Sequence, residues 1–492
     1  MTKVFGEPIQ ERILLNIGLL QDIATATFKV GDRGETIILG GSDLSTSFVG
    51  PGNSYKSTLA FYMFLTVLDR YADIGNIYDS EINMKRQRIV NLSKNMKDLH
   101  CYLLEDFDSV INLQSKTNMF SDTWWDKTKE ICELNTKSKL IVCDGLRDSK
   151  GEQLTMPPIL TTMLDSITEA EPAIANDILS KSKVEDASSN MYFMRSGLWK
   201  SKMLGELPMY SFKGNNRIFL TAHTGMKSTI GENKYSKPDP MLKELNADEI
   251  IKGVSSKFSF LISTVYKNST ASTLKNQTTK MPEYPTKIGS MYPSDLSVVK
   301  IKILRCKSGA TGVIFPIVVS QTEGVLPSLT EFHYIKKKEY HPEQGGDYGI
   351  TGSNVSYSMD LYPDVSLSRT KVRDRVENYD VNDENALEND KLRRAINITS
   401  ELLQLSIYHG NVYDVPPMKD IYERLVSLGY DWNELLLTRG WYSPENYNVK
   451  DMGKYLSSID ILNMYNGTYI PFWLDKTKVK VVKENIKKFN GK

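Results

Sequence analysis

Four cysteines in 492 residues are too few and too scattered to organise this chain. Cys101, Cys132, Cys143 and Cys306 include none of the close pairs that a zinc site needs. They read as reduced, mostly core thiols of a cytoplasmic protein. A long apolar run is missing too. The stretch Ile13 to Leu20 is broken by Asn16 and Gly18, is too short to span a bilayer, and lacks the basic start and cleavage site of a signal peptide. No membrane partner is therefore expected. An excess of one charge is also absent: 61 Lys and Arg against 60 Asp and Glu leave a net charge of +1. That excludes a broadly basic coat and confines any nucleic-acid surface to a local patch. There is no internal repeat and no low-complexity tract.

What is present is an ordinary globular composition, 40% hydrophobic and 25% charged, long enough for roughly two or three domains of ~150 residues. One amphipathic helix is expected from Glu11 to Ala26. From Ile37 to about Thr264, short apolar runs alternate with longer periodic segments, the pattern of an α/β fold with a mostly parallel sheet and crossover helices. Strands are expected at Ser47–Val49, Ile74–Tyr78, Leu140–Cys143, Ile159–Leu164, Ile218–Thr221 and Phe258–Ser263. The polar stretch Lys267–Ser294 reads as a long loop, and Val298–Arg305 with Gly312–Val319 as a hairpin. Residues 366–393, rich in charge, read as a mobile connector. The rest is divergent and mainly helical, with helices at Ile396–Tyr408, Met418–Leu428 and Val449–Tyr465 and a Lys-rich tail after Asp475. Domain boundaries are expected near residues 35 and 335: an N-terminal oligomerisation segment 1–35, a core 36–335, and a C-terminal accessory region 336–492.

The most informative segment is Gly50-Pro51-Gly52-Asn53-Ser54-Tyr55-Lys56-Ser57-Thr58, between an apolar strand and the helix Leu59–Leu68. Phosphate binding needs small residues that let backbone amides converge, and a helix N-terminus aimed at the anion. Lys56 is placed to reach the β- and γ-phosphates of ATP, and the Ser57 hydroxyl to ligate Mg²⁺. Tyr55 stands where the usual pattern has its second glycine. A second strand runs into Asp79-Ser80-Glu81, which places Glu81 to orient and deprotonate an attacking water. Two further strands end in an acid that can hold Mg²⁺, at Asp165 and at Asp144. Asp165 is preferred because Asp144 runs into a turn-like sequence that fits a hairpin. Trp124-Trp125 reads as a core edge.

In this order the motifs resemble the RecA-like recombinases, and most closely the UvsX branch carried by tailed phages, which shares a bulky aromatic before the loop lysine. The resemblance covers roughly residues 37–335. It implies a RecA-like P-loop ATPase core with Glu81 as the catalytic glutamate and Asp165 at the metal-holding strand end. By the same match His223, closing Arg217–Thr224, senses the γ-phosphate. Arg305 and Lys307 then reach into the ATP site of the next subunit. Two stretches, Glu169–Arg195 and Gly225–Gly253, match segments that touch single-stranded DNA, which points to Arg195, Lys227, Lys234 and Lys237, with Lys243 and Lys252 beside them. The implied protein is a DNA-dependent ATPase that forms a helical filament on single-stranded DNA and exchanges strands with a duplex. Its implied partners include phage single-strand-binding and loader proteins, in the host cytoplasm. A hexameric helicase on the same core, or an accessory filament ATPase that does not exchange strands, are the alternatives.

Overall fold

Phe48 and Val49 are neighbours in sequence but pack into different hydrophobic clusters, and so do Ile77 and Tyr78, Met163 and Leu164, and Phe219 and Leu220. Successive strand residues point to opposite faces. A strand that is apolar at both positions therefore needs cover on both sides, as parallel sheets have. The computed structural model describes residues 14–18, 21–31, 33–147, 153–181, 188–226, 242–246, 248–286, 295–336, 349–352, 356–380, 382–438 and 454–490.

The central strands are β1 (Ser45–Gly50), β2 (Ala72–Asp79), β3 (Ile111–Ser115), β4 (Ile159–Asp165), β5 (Asn216–Met226), β6 (Thr264–Asn268), β7 (Leu296–Cys306), β8 (Ile314–Ser320) and β9 (Gly324–Val325). They lie in the order β9-β8-β7-β6-β1-β5-β4-β2-β3 within an 11-stranded sheet. The half from β6 to β3 is parallel. The extension through β7, β8 and β9 is antiparallel, and it contains the expected hairpin. Helix α1 (Lys56–Arg70) fills one face with Leu59, Phe61, Met63 and Phe64. Helices α2 (Ser121–Asn135) and α3 (Ser188–Lys213) cover the other with Trp124, Trp125, Met203 and Leu207. The two tryptophans are core residues, with their ring N–H groups donated to Asn76 and Glu206. The α/β class expected from the sequence is the one found.

Several expectations are corrected. Residues 14–18 are not helical: Leu15 bridges Ser42, and the helix that follows is only Gln21–Ala24. Gly18 takes a positive φ of 79°, and the Asp22 carboxylate accepts from the amides of Ile17 and Gly18, which turns the chain instead of continuing a helix. Phe258–Ser263 is not a strand. It forms the short helix α4 (Lys257–Leu261), and the strand beside β1 is β6. The stretch Lys267–Ser294 begins inside β6 and adds a short strand, Ser272–Thr273, paired with β7, so its described part is less loop-like than expected.

The described residues of 366–393 are ordered as well, in a strand ending at Ser368, a short helix Val372–Val376 and the start of a long helix. Several of their charges are paired, not solvated: buried Arg373 reaches Asp295 at 2.7 Å and Glu323 at 2.5 Å. Around this segment a second core joins α5 (Pro327–Lys336), α6 (Ala386–His409), α7 (Met418–Ser427), α8 (Ser458–Tyr465) and α9 (Lys476–Asn490). Helix α8 starts later than expected because Ser457 and Asp460 close a capping box. The Lys-rich tail is helical and buries Val482. Finally, Ile141–Arg147 and Gln153–Met156 pair only with each other. Asp144 thus sits in a hairpin off the central sheet, which leaves Asp165 as the acid at a central strand end.

Among the described residues no helix is long and apolar enough to cross a membrane.

Candidate active site

Strand β1 delivers the chain to Gly50 at its carboxyl end, flanked by β5 and β6. A side chain at Gly50 would stand 2.8 Å from the carbonyl of Asn268 and 2.9 Å from Ser54 Oγ, so the close approach of β6 requires glycine. Pro51 and Ser54 then turn the chain, with Ser54 Oγ donating to the Pro51 carbonyl at 2.8 Å. Asn268 Nδ2 donates to the Ser54 carbonyl at 2.8 Å, tying the loop to the neighbouring strand. At Gly52 no atom lies within 4 Å of a Cβ position, which leaves the backbone open on that side. Asn53 and Tyr55 both take positive φ, 56° and 57°. Tyr55 therefore adopts the left-handed conformation that glycine supplies freely, at a cost of about 1–3 kcal/mol. Its ring packs on the main core, which offsets part of that cost.

Helix α1 begins at Lys56 with no side-chain cap on its first turn. Its leading amides are thus left for a ligand, and the helix dipole favours an anion there. Buried Lys56 donates Nζ to the Pro51 carbonyl at 2.6 Å. Burial pulls its pKa down, while the charges of Glu81 and Asp165 pull it back up. Ser57 Oγ donates to Asp165 Oδ1 at 3.1 Å, and the Thr221 hydroxyl donates to the same oxygen. Burial pushes Asp165 up to about 6 against these two donors. A hydroxyl and a carboxylate held together are hard oxygen ligands suited to Mg²⁺, and a bound cation would favour the ionised carboxylate. The donor set fits the expected metal.

Glu81 follows β2, where Asp79 accepts from the amides of Glu81 and Met84 at 3.0 and 2.7 Å and shapes the turn. Glu81 Oε1 meets His223 Nε2 and Ser166 Oγ, each at 2.8 Å. The hydrogen bond from His223 is the largest influence on its pKa; burial opposes it, and Ser166 and the Lys56 charge help bring it down to about 2. Glu81 is thus ionised at neutral pH and well placed to orient water.

The structure thus gathers Lys56, Ser57, Asp165, Glu81 and His223 at the carboxyl ends of β1, β4, β2 and β5, where open α/β sheets place ligands. Arg305 and Lys307, expected in the site of a neighbouring subunit, lie away from this one in their own chain. Arg305 pairs with Val265 near the start of β6, about 10 Å along the strand from Asn268. Its guanidinium donates to the carbonyls of Ile262 and Phe260, each at 3.1 Å, and Lys307 donates to Leu261 at 3.4 Å. Both residues cap α4 within their own chain. Arg195 lies on the exposed side of α3, not in a loop. Lys227, Lys234 and Lys237 fall outside the described residues. The sequence reading gave no role to Thr221, Ser166 or Asn268. Thr221 was legible in principle: it lies two residues before His223 on one strand, hence on the same face.

No protein-family model matches the chain, and no curated protein matches it. Among solved structures it is similar to the crystal structure of the RadB recombinase, with a TM-score of 0.30 and 13% identity, over 58% of this chain and 92% of that chain.

Proposed function

We propose that this protein binds ATP with Mg²⁺ on the loop 50–58, hydrolyses it, and couples hydrolysis to DNA as a RecA-like recombinase. The observation that carries the ATPase reading is the convergence of the uncapped start of α1, Lys56, the Ser57–Asp165 pair and the Glu81–His223 pair on neighbouring strand ends. The loop amides and Lys56 would cradle the phosphates. Ser57 and Asp165 would hold Mg²⁺, which supplies charge neutralisation on the β- and γ-phosphate oxygens. Glu81 would orient a water whose oxygen attacks the γ-phosphorus. The bond to the β,γ-bridging oxygen breaks, giving ADP and inorganic phosphate, with one proton released to solvent. A γ-phosphate that draws the His223 ring away would remove the main influence lowering the Glu81 pKa and make it a better proton acceptor.

Coupling to single-stranded DNA, assembly into a filament, strand exchange with a duplex, and phage-type loading partners follow from the ordered motifs that resemble the recombinases. The exposed Arg195, beside the exposed ring of Phe193 on α3, offers a cation and a stacking face of the kind that a single strand engages. The test is steady-state ATP hydrolysis with and without long single-stranded DNA at two salt concentrations, beside Lys56→Ala. DNA stimulation that weakens with salt and vanishes in the variant is expected, with filaments in negative stain. Hydrolysis indifferent to DNA would remove the recombinase reading and leave an ATP-dependent assembly protein.

A further inference from the structure

Behind the candidate site lies a buried cation that the hydrolysis scheme leaves without a role. Lys200, on the inner face of α3, is almost wholly buried, and its ammonium donates to the Thr168 carbonyl at 2.6 Å. Burial pushes its pKa down to about 8, with Glu169 and Glu171 pulling the other way. Holding an ammonium out of water is costly unless its contacts compensate. An apolar residue would fill this position more cheaply, so what Lys200 holds is informative.

Thr168 belongs to the turn that leaves β4 just past Asp165 and Ser166. Its Oγ1 accepts from the His223 amide at 2.9 Å and donates to the Lys252 carbonyl at 3.3 Å. The Lys252 amide returns a bond to the His223 carbonyl at 2.8 Å. Gly253 closes the other side at a φ of 66°, where a Cβ would stand 3.2 Å from the Thr168 carbonyl oxygen and 3.4 Å from Lys200 Nζ. The Thr168 turn is thereby held from α3, and it holds the His223 backbone in turn. The imidazole of that same histidine meets Glu81 at 2.8 Å. Within the two turns before Lys200, the outer side of α3 exposes Met194, Arg195 and Leu198.

We propose that Lys200 is a positioning residue: by anchoring the Thr168 turn to α3, it fixes His223 against Glu81, so that a displacement of α3 is transmitted to the carboxylate that orients water. This rests on the ATPase reading, but its geometry is testable without turnover.

The experiment uses the full chain as wild type, Lys200→Met, Lys200→Arg, Thr168→Val and the double variant Lys200→Met with Thr168→Val. Two readouts are taken: ATPase kinetics across pH, and the ring resonances of the five histidines, with His223 assigned by His223→Gln. In Lys200→Met the His223 resonance should move. Its kcat should fall about tenfold with KM for ATP little changed, the signature of an interaction felt in the transition state. Lys200→Arg should recover part of the loss. The double variant should fall no further than the worse single, because the two side chains act along one path. A wild-type His223 resonance in Lys200→Met, or additive losses in the double variant, would overturn the proposal. Should Lys200→Met not fold, Thr168→Val and Lys200→Arg carry the same two readouts. A wild type that hydrolyses no ATP sinks the ATPase reading alone, while the resonances still decide whether Lys200 sets His223.

Discussion

The carboxyl ends of the parallel strands and the C-terminal helical core both bury charge, but they treat it differently. In the C-terminal core Arg373 is matched by Asp295 and Glu323. Asp460 accepts from the amides of Ser457 and Thr36 at 3.0 and 2.7 Å. At the strand ends Lys56 donates to a backbone carbonyl rather than to a carboxylate, and Asp165 accepts from two hydroxyls. Three residues around that site, Asn53, Tyr55 and Ile82, take positive φ. Unfavourable terms at the strand ends stand where a phosphate and a cation would relieve them, whereas in the C-terminal core the buried Arg373 guanidinium already has its carboxylates. A region built to bind is incomplete by itself, and a region built to hold is closed.

The contrast predicts different failures. The largest effect is expected from Lys56→Ala, which should lower ATP turnover by about 10²–10³, in the range for removal of one electrostatic contact to a transition state, with the melting temperature unchanged or raised. Turnover within threefold of wild type would detach the loop from catalysis. Arg373→Met should do the reverse. By leaving the buried Asp295 carboxylate without its charge partner it should cost about 3–5 kcal/mol of stability in a denaturant melt, with KM for ATP unchanged in the folded fraction. A melt like wild type would break the comparison from the other side.

A third prediction concerns pH. Burial pushes Asp22 and Asp460 up to about 7 and Glu377 up to about 8. The folded protein therefore keeps protons that the unfolded chain releases near pH 4. Stability should fall as pH rises from about 4 through 7–8, each group contributing up to about 1.4 kcal/mol per pH unit. Asp460→Asn should flatten the slope in thermal melts taken across that window; an unchanged slope would mean that Asp460 is ionised when folded. The smallest effect is expected for Tyr55→Gly. It relieves left-handed strain of about 1–3 kcal/mol and loses a packed ring of similar worth. The melting temperature should therefore move by only a few degrees, with ATP affinity kept. A large fall in stability would show that the ring outweighs the strain.

How much of this was legible depended on whether the signal was local. The phosphate loop, β1, and the hairpin of β7 and β8 were readable because period-two patterning and turn residues lie within a few positions. Asp165 could be preferred over Asp144 because a turn signal follows the latter. Arg373 was not legible, since a charged residue reads as solvated until its partners, 78 and 50 residues away in sequence, fold against it. Phe258–Ser263 misled for a similar reason. Its apolar run suits a strand, but Arg305 from β7 binds its carbonyls and closes a helical turn. Nor does Gly18 announce that the Asp22 carboxylate will end a helix before it starts. The Lys200–Thr168 contact, like Arg373, exists only once distant elements meet.

The hairpin of Ile141–Arg147 and Gln153–Met156 bears on how this protein can be altered. It leaves the chain after α2, rejoins it just before β4, and takes no place in the central sheet. The site residues are set by neighbouring strands whose registers do not depend on it. The hairpin is accordingly a graft point: a tag, a reporter or a binding module carried between its two strands leaves untouched the registers that set the phosphate loop.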